Sequence, residues 1–422
     1  MERFFLIIEV LSYLFAAFLF FKKKELAIIY LPVLIFVNNI IVPVFSASIY
    51  YGTISSIILY AISRNSNFLK NNIFALLLFS YFFLLLLTGS GDLIAIRSNA
   101  FSAFWFFISV PLIAEIYKKH SADEIFLELS NSSFLVLLLF VANVVMSTIN
   151  HYSPARMYGI GGGILYGNIY AAGFNILAIA IFVMSFQMIL TRKLIYVLLV
   201  IVAYSFIMLS LRRTVMLVSS VGIIVSLLTL LFKNGAKQFI LLGSFIVLAG
   251  FFIYSSTGFG EQLQERYELR KLNERELESE PRLAEYELIY KDMFVYKTYS
   301  PLIGFGLFDS AGNYGKGVFE LRTLHGDLPS IAHSSGIIGV ILYCLMIITA
   351  FKRSLDTSLL LIDRSIVFFA AVAFLIFAGT GRFTECGSML MIFFVAMLPL
   401  AQTSTETETQ SCIPTNNEAI NV

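Results

Sequence analysis

Arginines and histidines gather where the long apolar runs of this chain stop. Arg97, Arg156, the pair Arg212 and Arg213, and Arg382 each stand at the end of such a run, and His151, His325 and His333 fall in the same set of ends and loops. A guanidinium is a planar fork of donors that stays charged and meets a phosphate or carboxylate with two parallel hydrogen bonds. Histidine is the side chain best suited to move a proton near neutral pH. The chemistry on offer is therefore anion binding joined to acid–base catalysis. Metal chemistry fits the spacing poorly. Pro329 interrupts the stretch between His325 and His333, no His-x-x-x-His pair occurs, and Cys344, Cys386 and Cys412 form neither a ligand set nor a disulfide framework. No metal and no cofactor is expected.

The elements that must position these residues follow from composition. Apolar residues make up 58% of the 422 and charged residues 13%, against roughly 45–50% and about 25% in soluble domains. An ordinary water-soluble protein is excluded. The 29 basic and 27 acidic residues leave a net charge of +2, which implies no nucleic-acid partner. A bilayer-spanning helix needs about 20 apolar residues, because backbone amides must be satisfied within the segment. Apolar runs recur over 4–21, 25–44, 46–62, 72–88, 99–117, 132–149, 164–190, 194–211, 214–232, 238–254, 331–351, 359–378 and 387–402. The expectation is an all-α polytopic membrane protein of about 12–13 spans. The first run ends in Lys22, Lys23 and Lys24 with no cleavage site, so it reads as a retained span.

Basic residues favour cytoplasmic loops. They cluster at Lys22 to Lys24, Arg64 and Lys70, Lys118 and Lys119, Arg192 and Lys193, Lys233 and Lys237, and Lys352 and Arg353, which is every second loop. The alternation divides the chain into transmembrane helices over 1–254, a large extracytoplasmic loop over 255–330, C-terminal helices over 331–402 and a polar cytoplasmic tail over 403–422. It also puts the arginines named above on the outer side, against the charge bias. Cations held there need an anion or a functional pathway. The plainer reading is snorkelling to lipid phosphates, or pairing with Asp92 and Glu385. Within the spans the polar residues are Glu9, Asn38, Asn39, Asn143 and Asn175, and Glu9 is expected to pair with another helix.

The outer segment 255–330 holds ten Glu, three Asp and nine basic residues, mostly between Glu261 and Lys297 and mixed in sign. Mixing of this kind suits solvated helices with local ion pairs. A break at Glu280-Pro281 separates a helix over 262–278 from one over 282–297. In the second, Leu283, Tyr286, Ile289 or Tyr290, and Met293 recur at helical spacing, giving an apolar stripe for a cap over the bundle. Ser300-Pro301-Leu302-Ile303-Gly304-Phe305-Gly306 then makes tight turns where backbone can approach a ligand. Without a preceding strand it is no dinucleotide site.

Taken in order, these features resemble the bacterial O-antigen polymerase and O-antigen ligase superfamily of lipid-linked glycan glycosyltransferases. The resemblance spans about residues 150–345. Arg156-Met-Tyr-Gly159 with Gly167-Asn168 is similar to the family's Arg-x-x-Gly and later Pro-Asn, with Gly167 in place of proline. Leu211-Arg212-Arg213-Thr214 is similar to its Ser-Arg-Thr element, with Arg213 the better match. Arg282 and Pro301-Leu-Ile-Gly304-Phe-Gly306 stand where the family carries an arginine and a Pro-Leu-x-Gly-x-Gly turn. His325 stands where a His-Asn-x-x-Leu motif begins, followed by Gly336 and Gly339; Gly326 replaces the asparagine and Ser334 a glutamate.

The resemblance implies a multi-pass inner-membrane enzyme with its active site facing the periplasm. It would transfer a growing glycan from undecaprenyl diphosphate to the next lipid-linked repeat unit. His325, Arg213 and Arg282 are then the expected catalytic residues, with His325 as base, and Arg156, Arg212, Asp327 and Tyr158 the expected substrate contacts. Asp327 would orient His325, bind sugar or cap the turn after it. Tyr158, Tyr286 and Tyr290 would offer faces for sugar rings. The partners implied are the lipid-linked oligosaccharide donor and acceptor, membrane lipid and a chain-length regulator. A ligase acting on lipid A core would use nearly the same residues. A transporter of lipid-linked glycans is the rival from another class, to be recognised by mid-membrane charges, broken helices and two related halves.

Overall fold

The computed structural model describes residues 1–88, 93–152, 166–169, 173–210, 212–232, 281–380 and 386–401, together with isolated positions 244, 261, 264 and 268. Among the described residues the architecture is helical without a β-strand. The helices are α1 (Glu2–Lys22), α2 (Leu31–Ile40), α3 (Ala47–Arg64), α4 (Ile73–Thr88), α5 (Leu93–Tyr117), α6 (Ala122–Ile149), α7 (Phe174–Thr191), α8 (Leu194–Leu209), α9 (Arg213–Phe232), α10 (Pro281–Tyr290), α11 (Asp327–Thr357), α12 (Leu361–Thr380) and α13 (Cys386–Ala396). Six stretches are long and apolar enough to cross a bilayer: Glu2–Lys22, Ile96–Tyr117, Ala122–Ile149, Phe174–Thr191, Asp327–Thr357 and Leu361–Gly379. The protein is a membrane-embedded helical bundle.

Two helices form its centre. Every residue of α13 is buried, and α7 is buried along nearly its whole length, packing on α6, α8, α9 and α13. A helix that is apolar on all sides belongs inside a bundle rather than on its lipid face. At 11 residues α13 is about 16 Å long, shorter than a bilayer core, and its neighbours complete the apolar layer around it.

Two expected spans differ in their details. The run 25–44 folds as a 3-10 segment, Lys24–Tyr30, followed by α2, with Pro32 in the first turn of α2 where its missing N–H costs nothing. Within the run 164–190, the described residues 166–169 are not helical and α7 spans Phe174–Thr191. The reason is that Asn168 is tied sideways: its N–H donates to Asn143 Oδ1 at 2.9 Å and its Nδ2 to the Ile40 carbonyl at 2.8 Å. Asn143 also donates to Ile40, at 3.0 Å. Glu9 likewise meets backbone rather than a side chain, accepting from Val44 N at 2.7 Å and Phe45 N at 3.2 Å and so closing the turn between α2 and α3.

Four of the basic clusters meet at one end of the bundle. Lys23 pairs with Glu128 at 2.6 Å, Arg64 with Glu25 at 3.6 Å, and His120 with Glu25 at 3.1 Å and Glu124 at 2.9 Å. Asn71 accepts from Lys118 Nζ at 2.6 Å, and its carbonyl accepts from Arg353 at 3.0 Å. The alternation of basic loops is thus matched by a shared end. Arg353 lies near the C-terminus of α11, so the N-terminus of α11 and the segment before it occupy the opposite end.

Helix α11 is two helices joined at a kink. At Gly336 the backbone adopts φ 63°, ψ −163°, a region that only glycine enters readily. The turn 300–305 fits into the break. Phe305 N donates to the His333 carbonyl at 2.7 Å, while Ile337 N donates to the Pro301 carbonyl at 2.9 Å. Tyr81 of α4 donates to the Ser335 carbonyl at 3.0 Å. The groups left over by the break are thereby satisfied, as a low-dielectric setting demands. Gly304 is needed for this approach, since a Cβ there would meet the Gly336 amide and the His333 carbonyl at 2.6 Å. The glycine turn therefore approaches another helix, where the sequence suggested a ligand.

Candidate active site

Segment 281–326 builds a small domain-like cap on the N-terminus of α11. The second cap helix expected over 282–297 forms as α10, followed by one π-helical turn, Lys291–Val295. Its inward face is set by Ile289 and Met293, which are buried with Tyr314 and Leu324. Of the two candidates for the stripe, Ile289 points in and Tyr290 out; Leu283 is also exposed. The first expected cap helix, 262–278, lies outside the described residues.

Glu285 stands one turn before Ile289 on this inward face, and its side chain is completely buried. A buried carboxylate must find donors, and Glu285 finds several. Its Oε1 accepts from Arg322 Nη2 at 2.8 Å and lies 2.9 Å from His325 Nδ1; its Oε2 accepts from the His325 amide at 2.8 Å. The Gly326 amide lies 3.4 Å from the same Oε2. Gly326 is the N-cap of α11, so Glu285 also meets the positive end of that helix. Burial works to raise the Glu285 carboxyl, but the hydrogen bonds from His325 and the charges of His325 and Arg322 outweigh it and hold the group below its ordinary value. Glu285 is the anion of the cluster.

That assignment fixes the tautomer of His325. Arg322 Nε also lies 3.2 Å from His325 Nδ1, but one ring nitrogen cannot both accept there and donate to a carboxylate. An ionised carboxylate only accepts, so Nδ1 carries the hydrogen and gives it to Glu285. In the neutral ring Nε2 then holds the basic lone pair. The His325 side chain is about one quarter exposed, against none for Glu285. A carboxylate behind Nδ1 also stabilises the imidazolium that forms when Nε2 takes up a proton, the arrangement by which an acid orients a catalytic histidine. Arg322 is braced from its other side by the ring of Phe319, 5.0 Å from the guanidinium.

Around this pair stand two further buried acids. Asp327 opens α11 and is fully buried, 3.4 Å from the Tyr343 hydroxyl that donates to its Oδ2. Asp292 accepts from Gly315 N at 2.6 Å and so pins the glycine-punctuated loop to the π-helical turn after α10. The Tyr286 hydroxyl is pushed up, first by burial and then by the charges of Asp327 and Glu285. His333 is a core residue: its ring is fully buried between Tyr299 and Phe305, at centroid distances of 5.1 Å each, with Nε2 3.1 Å from the Asn313 carbonyl. No group of three or more His, Cys, Asp or Glu among the described residues is arranged to hold a metal ion.

Of the residues singled out by sequence, His325 is joined to the cap cluster. Arg213 is exposed at the first turn of α9, and Arg212 is half-buried with its guanidinium 4.7 Å from the Phe174 ring. The described contacts do not bring Arg213 to His325. Arg282 lies in α10, with its side chain outside the described residues; Arg156 and Tyr158 lie outside them altogether. His151 is exposed at the end of α6, its ring 6.0 Å from that of Tyr166. Sequence reading missed Glu285 and Arg322. Two signals pointed to them: an acid one turn before Ile289 on an apolar stripe, and the spacing Arg322-x-x-His325.

In comparisons with known proteins the chain matches no family model and no curated sequence.

Proposed function

We propose that the protein is a glycosyltransferase that polymerises lipid-linked glycan repeat units at the outer face of a bacterial inner membrane. The basic end of the bundle faces the cytoplasm in this reading, because basic loops favour that side, and the cap over α11 faces the periplasm. The observation that carries the proposal is the buried Glu285 carboxylate on His325 Nδ1, with Arg322 paired to the same carboxylate.

The donor is a glycan on undecaprenyl diphosphate and the acceptor a hydroxyl of the next lipid-linked repeat unit. His325 Nε2 removes the hydroxyl proton as the oxygen attacks the anomeric carbon. The bond from that carbon to the diphosphate oxygen breaks, and the diphosphate leaves with the electron pair. The imidazolium so formed faces the negative charge of Glu285. Arg213, Arg282 and Arg156 are assigned to the departing diphosphate, with Arg212 and Tyr158 as further substrate contacts. Asp327, fully buried against Tyr343, acts by shaping the start of α11. Diphosphate is already a good leaving group, so the paired carboxylates of glycoside hydrolysis and a metal are not required. A chain-length regulator is the expected protein partner.

One observation favours the transporter reading: α11 is broken at Gly336, and broken helices line transport sites. Here, however, the free backbone groups at the break are taken by residues 301–305 and by Tyr81, which leaves them committed to the protein. The deciding experiment incubates the purified full chain with a lipid-linked repeat unit, with and without EDTA, and resolves the glycans on a gel. The expected outcome is a ladder that survives EDTA and is lost in His325→Ala and Glu285→Gln. Transfer only after lipid A core is added would make the protein a ligase, and no transfer under either condition would favour transport.

A further inference from the structure

A cleft of about 510 Å³ opens between α3, α4 and α5, with no residue of the cap or of α11 in its lining. Its walls are apolar, with Ile62 from α3, Phe83 from α4 and Ala100 and Phe104 from α5, and its volume lies within the roughly 300–1,000 Å³ of ligand sites. One charged residue lines it, Arg97, near the N-terminal end of α5. Arg97 is exposed and makes no hydrogen bond or ion pair among the described residues. The rim also carries exposed Leu59, Phe83 and Phe101, so the cleft opens to the surroundings of the bundle, which beside α5, a helix long and apolar enough to cross a bilayer, are lipid.

We infer that this cleft binds one acyl chain of an anionic bilayer phospholipid, with the lipid phosphate on Arg97. An apolar cleft with a single cation in its lining is complementary to a molecule that is a hydrocarbon chain with one anion at its end. A guanidinium at a lipid interface is stabilised by such a phosphate. The depth agrees as well. Trp105 lies eight residues below Arg97 on α5, about 12 Å along the helix axis, which is within one leaflet's hydrocarbon layer of about 15 Å. Trp105 donates from Nε1 to Ser55 Oγ at 3.0 Å and lines the cleft, so its indole sits where the middle of a bound chain would run. The inference does not depend on the proposed enzymatic activity.

Trp105 is the one tryptophan in the chain, which makes its fluorescence a direct report on this cleft. The full chain is reconstituted in phosphatidylcholine vesicles containing a minor fraction of lipid brominated at mid-chain, which quenches tryptophan on contact. Brominated phosphatidylglycerol is expected to quench at about fivefold lower mole fraction than brominated phosphatidylcholine. Arg97→Gln should bring the two lipids to the same value while quenching itself persists. Ala100→Phe, which fills the cleft, should reduce quenching by both. Equal quenching by the two lipids in the unaltered protein, or a preference that survives Arg97→Gln, would overturn the inference. So would relief of quenching by unbrominated polyprenyl phosphate at mole fractions where unbrominated phosphatidylglycerol has no effect, because the cleft would then belong to a carrier lipid.

Discussion

Both ends of this bundle carry a carboxylate–histidine cluster, and the two are built for different purposes. At the basic end His120 lies between Glu25 and Glu124, with each ring nitrogen on a carboxylate. Arg64 and Lys23 with Glu128 add further pairs, and the result is a clamp that ties the loops after α1, α3 and α5 together. At the cap end His325 gives one ring nitrogen to a carboxylate that is itself fully buried and held by backbone amides. The carboxylates of the first cluster are within reach of water, Glu25 at 15% and Glu124 at 47% side-chain exposure, whereas that of Glu285 is at 0%, so its charge acts on His325 with little screening. The burial of the carboxylate, rather than the mere presence of an acid and a histidine, separates a fastening from a candidate base.

The largest expected effect tests that distinction. His325→Ala should lower turnover about 10²–10⁴-fold, the usual worth of a positioned general base, whereas His120→Ala should leave turnover unchanged and alter only stability. Equal losses from both, measured as polymer formed per mole of correctly inserted protein, would erase the distinction. Next comes the break in α11. Gly336→Ala forces a Cβ against the Leu302 carbonyl at a φ of 63° and should cost about 3 kcal/mol, seen as a lowered unfolding midpoint with the cap affected first. The same substitution at Gly52, where no atom lies within 4 Å, should be tolerated.

A third prediction concerns pH. Glu285 is held below its ordinary value, so the stability it gives the cap is complete above about pH 4.3, the usual glutamate value, and is lost as pH falls through its lower folded value. Hydrogen exchange at the His325 and Gly326 amides should accelerate in that acid window, and Glu285→Gln should remove the dependence. The smallest effect belongs to the basic end. Arg64 is half exposed and 3.6 Å from Glu25, so Arg64→Gln should cost less than about 1 kcal/mol. A larger loss by denaturant titration would mean that the clamp is stronger than its geometry suggests.

Apolar run length and basic-loop alternation determined the membrane class, most helices and the shared basic end, because each span satisfies its own backbone and charges sort by local rules. They failed where a long-range contact overrides propensity. Asn168, tied to Ile40 and Asn143, holds residues 166–169 out of a helix, and no local signal in the run announces it. The site divides in the same way. His325 was legible by type and setting, and the apolar stripe of α10 by its spacing. Glu285 was not, since an acid in a segment with nine other glutamates becomes special only when folding buries it. Residue types and periodicity are local properties written along the chain. Which glutamate meets which histidine across forty residues, and which turn fills the break at Gly336, are decided by burial and by the need to pair every polar group that burial removes from water.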